Sequence, residues 1–345
     1  MASLVGQGGL DEALQARLAL VEERLRDAVS QSDRLADATS RHLVNAGGKR
    51  LRPALALLAA HLGDASRPEV VDAAVVVELT HLATLYHDDV MDSAPTRRGA
   101  PAAHEVWGNS VAILTGDLLF ARASAVVADL GPQAVRIQAE TFERLCLGQL
   151  HETVGPLPED DPVEFYLQVL ADKTGSLIAT SARFGAMFAG CAPSVVQQVT
   201  RYGELAGVAF QLADDVIDVR SDAATTGKTP GTDLREGVAT MPVLLLRRRV
   251  AAASSSRAAD LSSRAESRDL ADDADLLAAI DGDLSSDKAL ASVVARLGAH
   301  SVVDETAALA AQWAARAKEA IALLPEGDVK ASLIDFADSL VARTA

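Results

Sequence analysis

Hydrophobic positions recur along this chain with the 3.6-residue period of an α-helix, and no segment alternates convincingly enough to predict a strand. The pattern predicts helices over about 10–29, 31–46, 50–62, 68–92, 104–128, 132–154, 162–190, 194–219, 236–251, 270–281, 287–298, 301–323 and 328–342. Breaks are expected at "NAGGKRLRP", "SAPTRRGAP", "GPLPEDDP", "GCAPS" and "TTGKTPGTD", all rich in Gly, Pro and Asx. Pro53, Pro68, Pro162 and Pro242 lie near helix starts, where a missing N–H costs little. The segment 251–269, "AAASSSRAADLSSRAESRD", reads as a mobile surface insertion. No repeat period or linker divides the rest. The expectation is one large all-α domain over 1–345.

Composition narrows this picture. Of 345 residues, 49% are hydrophobic and only 3% aromatic, so the core must be built from Ala, Leu and Val, which suit close helix packing. A net charge of −16 argues against a nucleic-acid partner, although local basic clusters can still take an anion. Cys146 and Cys191 are too few for a disulfide framework or a thiolate zinc site. "MASLVGQGGLDEALQARL" lacks the basic and apolar regions of a signal peptide. The apolar window Val70–Tyr86 carries Asp72, Glu78 and His81, so no transmembrane segment is read there and a cytoplasmic location is expected.

Two acidic clusters break the apolar pattern. In "LYHDDVMDSAPTRRG", Asp88 and Asp92 are one helical turn apart, with His81, Thr84 and Leu85 on the same stripe and Asp89 to one side. In "FQLADDVIDV", Asp214 and Asp218 repeat the spacing and Gln211 precedes them on the same face. One such motif in an acidic protein is ordinarily a solvated helix face. Two of them, each flanked by apolar helix and followed by a basic loop, point to hard oxygen ligation of Mg²⁺ together with substrate phosphate. The basic groups are Lys49, Arg50 and Arg52 in "GGKRLRP", Arg97 and Arg98 after the first cluster, Lys173 with Thr174 in "ADKTGS", and Lys228 in "TTGKTPGTD". Any one alone reads as a surface cation. As a set they describe two diphosphate pockets, one bridged by metal and one held by cations. "GKTPG" lacks Walker spacing and no strand precedes it, so it is not a P-loop.

These motifs, in order, make the chain similar to trans-isoprenyl diphosphate synthases of the polyprenyl synthetase family. "GGKRLRP", "HDDVMDSAPTRRG", "GNSVAILTGDLLFA", "DKTGSL", "FQLADDVIDV" and "GKTPGTDLREGVATMPVLLL" all match landmarks of that family, from about residue 40 to 248. "GNSVAILTGD" and "HLATLYHDD" resemble its long-chain branch. The resemblance implies a helical bundle around a deep central cavity, and a homodimer that touches a membrane only transiently to release product. Its substrates would be isopentenyl diphosphate and an allylic diphosphate.

Carried over by position, the resemblance makes Asp88, Asp92, Asp214 and Asp218 the metal ligands, for about three Mg²⁺ ions, with Mn²⁺ as a substitute. Arg97, Lys173 and Lys228 would grip the allylic diphosphate; Lys49, Arg52, His81 and Arg98 would hold isopentenyl diphosphate. Thr174 and Gln211 would line the reacting centre. His81 also fits a satisfied core histidine, and Trp107 and Phe120 are expected in the core. In this family a bulky residue shortly before the first motif acts as a floor to the product tunnel. Ala83 and Thr84 occupy those positions here and are small, which favours a long polyprenyl product, such as a quinone side chain, over a geranylgeranyl one. A class I terpene cyclase needs only one intact aspartate motif, and a non-catalytic partner subunit usually loses both. The intact pair disfavours each.

Overall fold

The computed structural model describes residues 9–220, 230–257 and 266–342. The first ten helices are α1 (Gly9–Ala28), α2 (Arg34–Asn45), α3 (Leu51–Ala60), α4 (Pro68–Met91), α5 (Ala103–Trp107), α6 (Asn109–Asp129), α7 (Pro132–Val154), α8 (Pro162–Leu170), α9 (Ser176–Phe188) and α10 (Pro193–Arg220). Further helices follow at Thr232–Arg235, Met241–Arg257, Glu266–Ile280, Asp287–Gly298, Ser301–Ala320 and Asp328–Val341. The chain is all-α, as its periodicity predicts. Its described residues divide into two compact units, a finer division than the single domain expected over 1–345. One comprises Met1–Gln149, Ala171–Gly207 and Arg316–Ala337, the other Leu150–Leu170, Val208–Ala315 and Asp338–Ala345.

Three local departures from the predicted pattern matter for the site. The expected helix 104–128 breaks at Gly108, whose φ of 81° suits glycine, so α5 and α6 are separate. The expected helix 162–190 is interrupted by a π turn, Ala171–Gly175, between α8 and α9. In the loop after α4, Thr96–Arg97 pairs antiparallel with Ala100–Pro101. Arg98 and Gly99 form its two-residue turn with φ of 55° and 78°, the mirror-image geometry that suits a tight hairpin. Of the segment expected as an insertion, 251–257 and 266–269 are helical, and 258–265 lies outside the described residues.

In the first unit, α4 is the central rod. Pro68 opens it at a position where no N–H is needed, and residues 73–80 are buried without exception against α3, α6 and α9. Small residues make that approach feasible. A Cβ on Gly185 of α9 would meet the Ala56 carbonyl of α3 at 1.9 Å. A Cβ on Gly116 of α6 would meet His87 Nε2 at 2.4 Å and the Ala83 carbonyl at 3.1 Å. The aromatic-poor composition thus appears as backbones in near contact. By length and composition alone, α4 and α6 are long and apolar enough to cross a membrane. The apolar window of α4 is 67% buried in protein and that of α6 only 44%.

In the second unit, the end of α10 lies against Gly298, where a Cβ would sit 2.7 Å from the Val219 carbonyl. Arg220 donates to the Gly298 carbonyl at 3.2 Å and to Asp304 at 2.6 Å. Ser286 caps the helix that follows it by accepting from the Ala289 N–H at 3.2 Å.

Candidate active site

Along the last three turns of α4, one run of accessible positions carries the motif residues, with His87, Val90 and Met91 accessible to its side. His81, Thr84, Leu85 and Asp88 are partly exposed, Asp92 is exposed at the helix C-cap, and Ala83, Tyr86 and Asp89 between them are buried. The stripe read from the sequence is therefore open to solvent. The two expected floor residues separate here, since Thr84 keeps exposure and Ala83 has none. Thr84 turns its hydroxyl back to the His81 carbonyl at 2.8 Å.

Asp89, set aside in the sequence reading, is fully buried and accepts from Arg97 Nε at 2.6 Å. Burial pushes its carboxyl up, opposed by the Arg97 charge and hydrogen bond. Arg97 is thus tied to the aspartate motif. Arg98, its neighbour, is the first residue of the turn and has other partners. Its guanidinium donates to the carbonyls of Gly47 and Leu43, the latter at 3.3 Å, and lies 3.8 Å from Glu78. A Cβ on Gly48 would be 2.7 Å from the Arg98 Cζ, so that glycine is the seat of the guanidinium.

The "GGKRLRP" turn divides its cations between structure and site. Arg50 takes φ 48° as the N-cap of α3 and is buried. It donates to Glu22 at 2.5 Å, to Glu78 at 2.8 Å and to the Val44 carbonyl at 3.1 Å. Burial alone would lower its pKa, but Glu22 and Glu78 together raise it. Arg50 is an anchor. Lys49 beside it is exposed, and Arg52 has its Nε buried without a hydrogen-bond partner. Burial pulls the Arg52 guanidinium down to about 10, with Glu78 and Asp88 opposing and Arg98 reinforcing the shift. His81 is held well below its ordinary value by burial, then by the charges of Arg52, Arg98, Arg97 and Arg50. These cations share one neighbourhood, which an anion would relieve.

Lys173 and Thr174 sit in the π turn, Lys173 partly exposed and Thr174 buried. In the second unit, α10 repeats the exposure pattern of α4. Phe210, Gln211, Asp214, Ile217 and Asp218 keep exposure, while Asp215 is buried. The Tyr166 hydroxyl donates to both oxygens of Asp215, at 3.1 and 3.0 Å, and the Met241 N–H donates at 3.2 Å. Burial drives the Asp215 carboxyl well above its ordinary range. The Asp218 carbonyl accepts from the Gly231 N–H at 2.9 Å. Gly231 has φ 76°, and a Cβ on it would strike Val294 at 2.3 Å. Lys228 lies outside the described residues.

Among the described residues, no three of His, Cys, Asp and Glu converge as a ready-made metal cage. The sequence reading missed Glu78, Asp89, Tyr166 and Asp215 as partners. Glu78 had a signal: an acid inside "VVVELTHL" must have a buried cation to answer it. Trp107 and Phe120, expected in the core, are only partly buried. They stack on His42 at 5.0 Å and on Phe142 at 4.0 Å between ring centroids.

Comparison with known proteins agrees with these motifs. The polyprenyl synthetase family profile matches residues 33–280. A nonaprenyl diphosphate synthase of Mycobacterium tuberculosis is 41% identical over 340 residues, covering 98% of this chain and 96% of that one. A geranylgeranyl pyrophosphate synthase of Corynebacterium glutamicum, crystallised with calcium and isoprenyl diphosphate, superposes with a TM-score of 0.82. It is 39% identical and the match covers 99% of both chains. A polyprenyl synthase of Caulobacter crescentus, also with calcium and isoprenyl diphosphate, gives a TM-score of 0.82 at 32% identity over 97% of each chain. The chain belongs to the polyprenyl synthetase family of prenyltransferases.

Proposed function

We propose that this enzyme joins isopentenyl diphosphate head to tail with an allylic diphosphate, repeatedly, to give an all-trans polyprenyl diphosphate of about thirty to fifty carbons. The observation that carries the reading is the open stripe of α4. It aligns Asp92, Asp88, Leu85, Thr84 and His81 at the end of a helix whose middle, residues 73–80, is wholly buried, and the charges of Arg52, Arg97 and Arg98 act on His81 there.

The donor set fits a hard divalent cation. Asp88 and Asp92 in one unit, and Asp214 and Asp218 in the other, each offer only carboxylate oxygens, an incomplete set of the kind that Mg²⁺ completes with phosphate and water. Mg²⁺ held there would neutralise charge on the departing diphosphate. Arg97, Lys173 and Lys228 take up the rest of that charge as the allylic C–O bond ionises. Lys49, Arg52, His81 and Arg98 hold isopentenyl diphosphate so that its double bond meets the allylic cation, with Thr174 and Gln211 lining the reacting centre. The new C–C bond leaves a cation, which loses a proton to the departing pyrophosphate.

Thr84 supports a long product, because it is small and accessible where a floor would stand. A geranylgeranyl product is the second reading. It is favoured by Thr80, one turn deeper, which is 1% exposed and so closes that face of α4 to solvent. A homodimer is supported by α6, which leaves Ile113 and Leu114 exposed, the latter by 65%. The deciding experiment incubates purified protein with isopentenyl diphosphate, Mg²⁺ and farnesyl diphosphate and resolves products by length. No consumption of isopentenyl diphosphate ends the synthase reading, and a dominant geranylgeranyl product ends the long-chain one.

A further inference from the structure

The π turn Ala171–Gly175 is a local fault in an otherwise helical run, and such turns concentrate at functional sites. Its shifted register must be held from outside, because the bulge weakens the helix's own ladder of hydrogen bonds. Three features of the first unit hold it. Arg144 of α7 donates from Nε to Asp172 Oδ1 at 2.6 Å and from Nη2 to the Ala171 carbonyl at 3.3 Å. The same Nη2 donates to Glu204 of α10 at 2.6 Å. Gly148, one turn further along α7, lets the two backbones touch, since a Cβ there would lie 2.6 Å from the Lys173 nitrogen. On the far side, a Cβ on Gly207 of α10 would lie 2.6 Å from the Gly175 Cα. The turn is gripped on both flanks. Burial works against the Arg144 charge, but the hydrogen bonds to Asp172 and Glu204 outweigh it and raise its pKa.

We propose that Arg144 is a positioning residue for prenyl transfer: by clamping Asp172 and the Ala171 carbonyl, it fixes the π turn and so the angle at which Lys173 leaves the helix. The inference rests on Lys173 as a ligand of the allylic diphosphate. A lysine is a point charge on a flexible stem, so its root must be fixed if its ammonium is to meet one phosphate geometry. An ion pair that merely stabilises would behave otherwise. Arg144 is one-third exposed but Asp172 is buried, so losing the pair also costs some stability, and a KM change confined to one substrate is what separates positioning from folding.

The test is steady-state kinetics with each substrate varied in turn, alongside thermal melts. Arg144→Gln is expected to raise KM for farnesyl diphosphate about tenfold, to lower kcat severalfold, and to leave KM for isopentenyl diphosphate within about twofold. Arg144→Lys keeps the charge but not the fork, and is expected to recover only part of the loss. Gly148→Ala displaces the same turn by a different route and is expected to give the same one-substrate signature. Arg24→Gln, which breaks the Arg24–Asp72 pair at 2.8 Å between α1 and α4, is the stability control. Lys173→Ala reports on the underlying reading. If Lys173→Ala raises the allylic KM and Arg144→Gln does not, the clamp has no positioning role. Equal KM changes in Arg144→Gln and Arg24→Gln also overturn it. An unchanged allylic KM in Lys173→Ala brings down the diphosphate reading and the inference with it.

Discussion

The two aspartate motifs share their letters and their exposure pattern. Thr84, Leu85, Asp88 and Asp92 open from α4 as Phe210, Gln211, Asp214 and Asp218 open from α10. The middle carboxylates differ. Asp89 is answered by a cation, Arg97, carried on a hairpin; Asp215 is answered by a tyrosine hydroxyl and a backbone N–H. The first motif is therefore coupled to a loop bearing substrate-type arginines, whereas the second is bolted to α8 and the helix Met241–Arg257. The difference gives one motif a charged partner and the other neutral ones. It also shows that identical motifs need not have identical second partners.

Changes to the outer aspartates have the largest expected effect and should not distinguish the motifs. Asp88→Ala and Asp214→Ala should each lower kcat by about 10³-fold with an unchanged circular dichroism spectrum. A mild loss in one of them would break the symmetry of the outer residues. The middle aspartates should separate the two. Asp89→Asn removes the charge facing Arg97, whose benefit burial of the carboxyl partly offsets, and should cost about 2 kcal/mol in urea unfolding. Asp215→Asn keeps an acceptor for Tyr166 and should cost less than about 1 kcal/mol. Equal costs would erase the contrast drawn here.

A smaller effect concerns the stripe alone. Thr84→Phe should shorten the product by at least about one prenyl unit while the protein still folds. Ala83→Phe, at a fully buried site, should instead destabilise by about 2 kcal/mol through overpacking. Chromatography of products beside a melt separates these outcomes. The smallest effect follows from His81. Its folded pKa lies well below 6.5, so the unfolded chain binds more protons as the pH falls through that value. Stability should therefore be lower by a few degrees of melting temperature at about pH 5.5 than at about pH 7.5. His81→Asn should flatten that difference, and a wild-type curve already flat would contradict the burial argument.

Much of this was legible in the sequence. The 3.6-residue period located the long helices, and the one-turn spacing of Asp88 and Asp92 predicted the stripe that is open in α4. What escaped depends on partners far along the chain. Arg50 looked like one more phosphate cation, and only the meeting with Glu22 and Glu78 shows it as an anchor. Arg97 and Arg98 are adjacent letters, yet a two-residue turn sends them to different partners. The π turn at Lys173 leaves no periodic trace, because one extra residue in a turn is smaller than the tolerance of a hydrophobic pattern. Gly148 and Gly116 are helical glycines whose neighbours leave no room for a Cβ, which no helix propensity reveals.

The unbroken course of α4 from Pro68 to Met91 makes it a measuring rod. Glu78, which tethers the cationic turn through Arg50, and Asp88 are separated by a helical rise of about 15 Å. That interval is set by backbone hydrogen bonds and owes nothing to the length of the product. The distance between the cationic turn and the first aspartate motif along this helix is thus fixed by the backbone. A single residue inserted between Glu78 and Asp88 would lengthen the rod by only about 1.5 Å but turn its far end by about 100°, which swings the aspartates off the open face. Substitutions along this helix can retune the enzyme, whereas insertions would disable it.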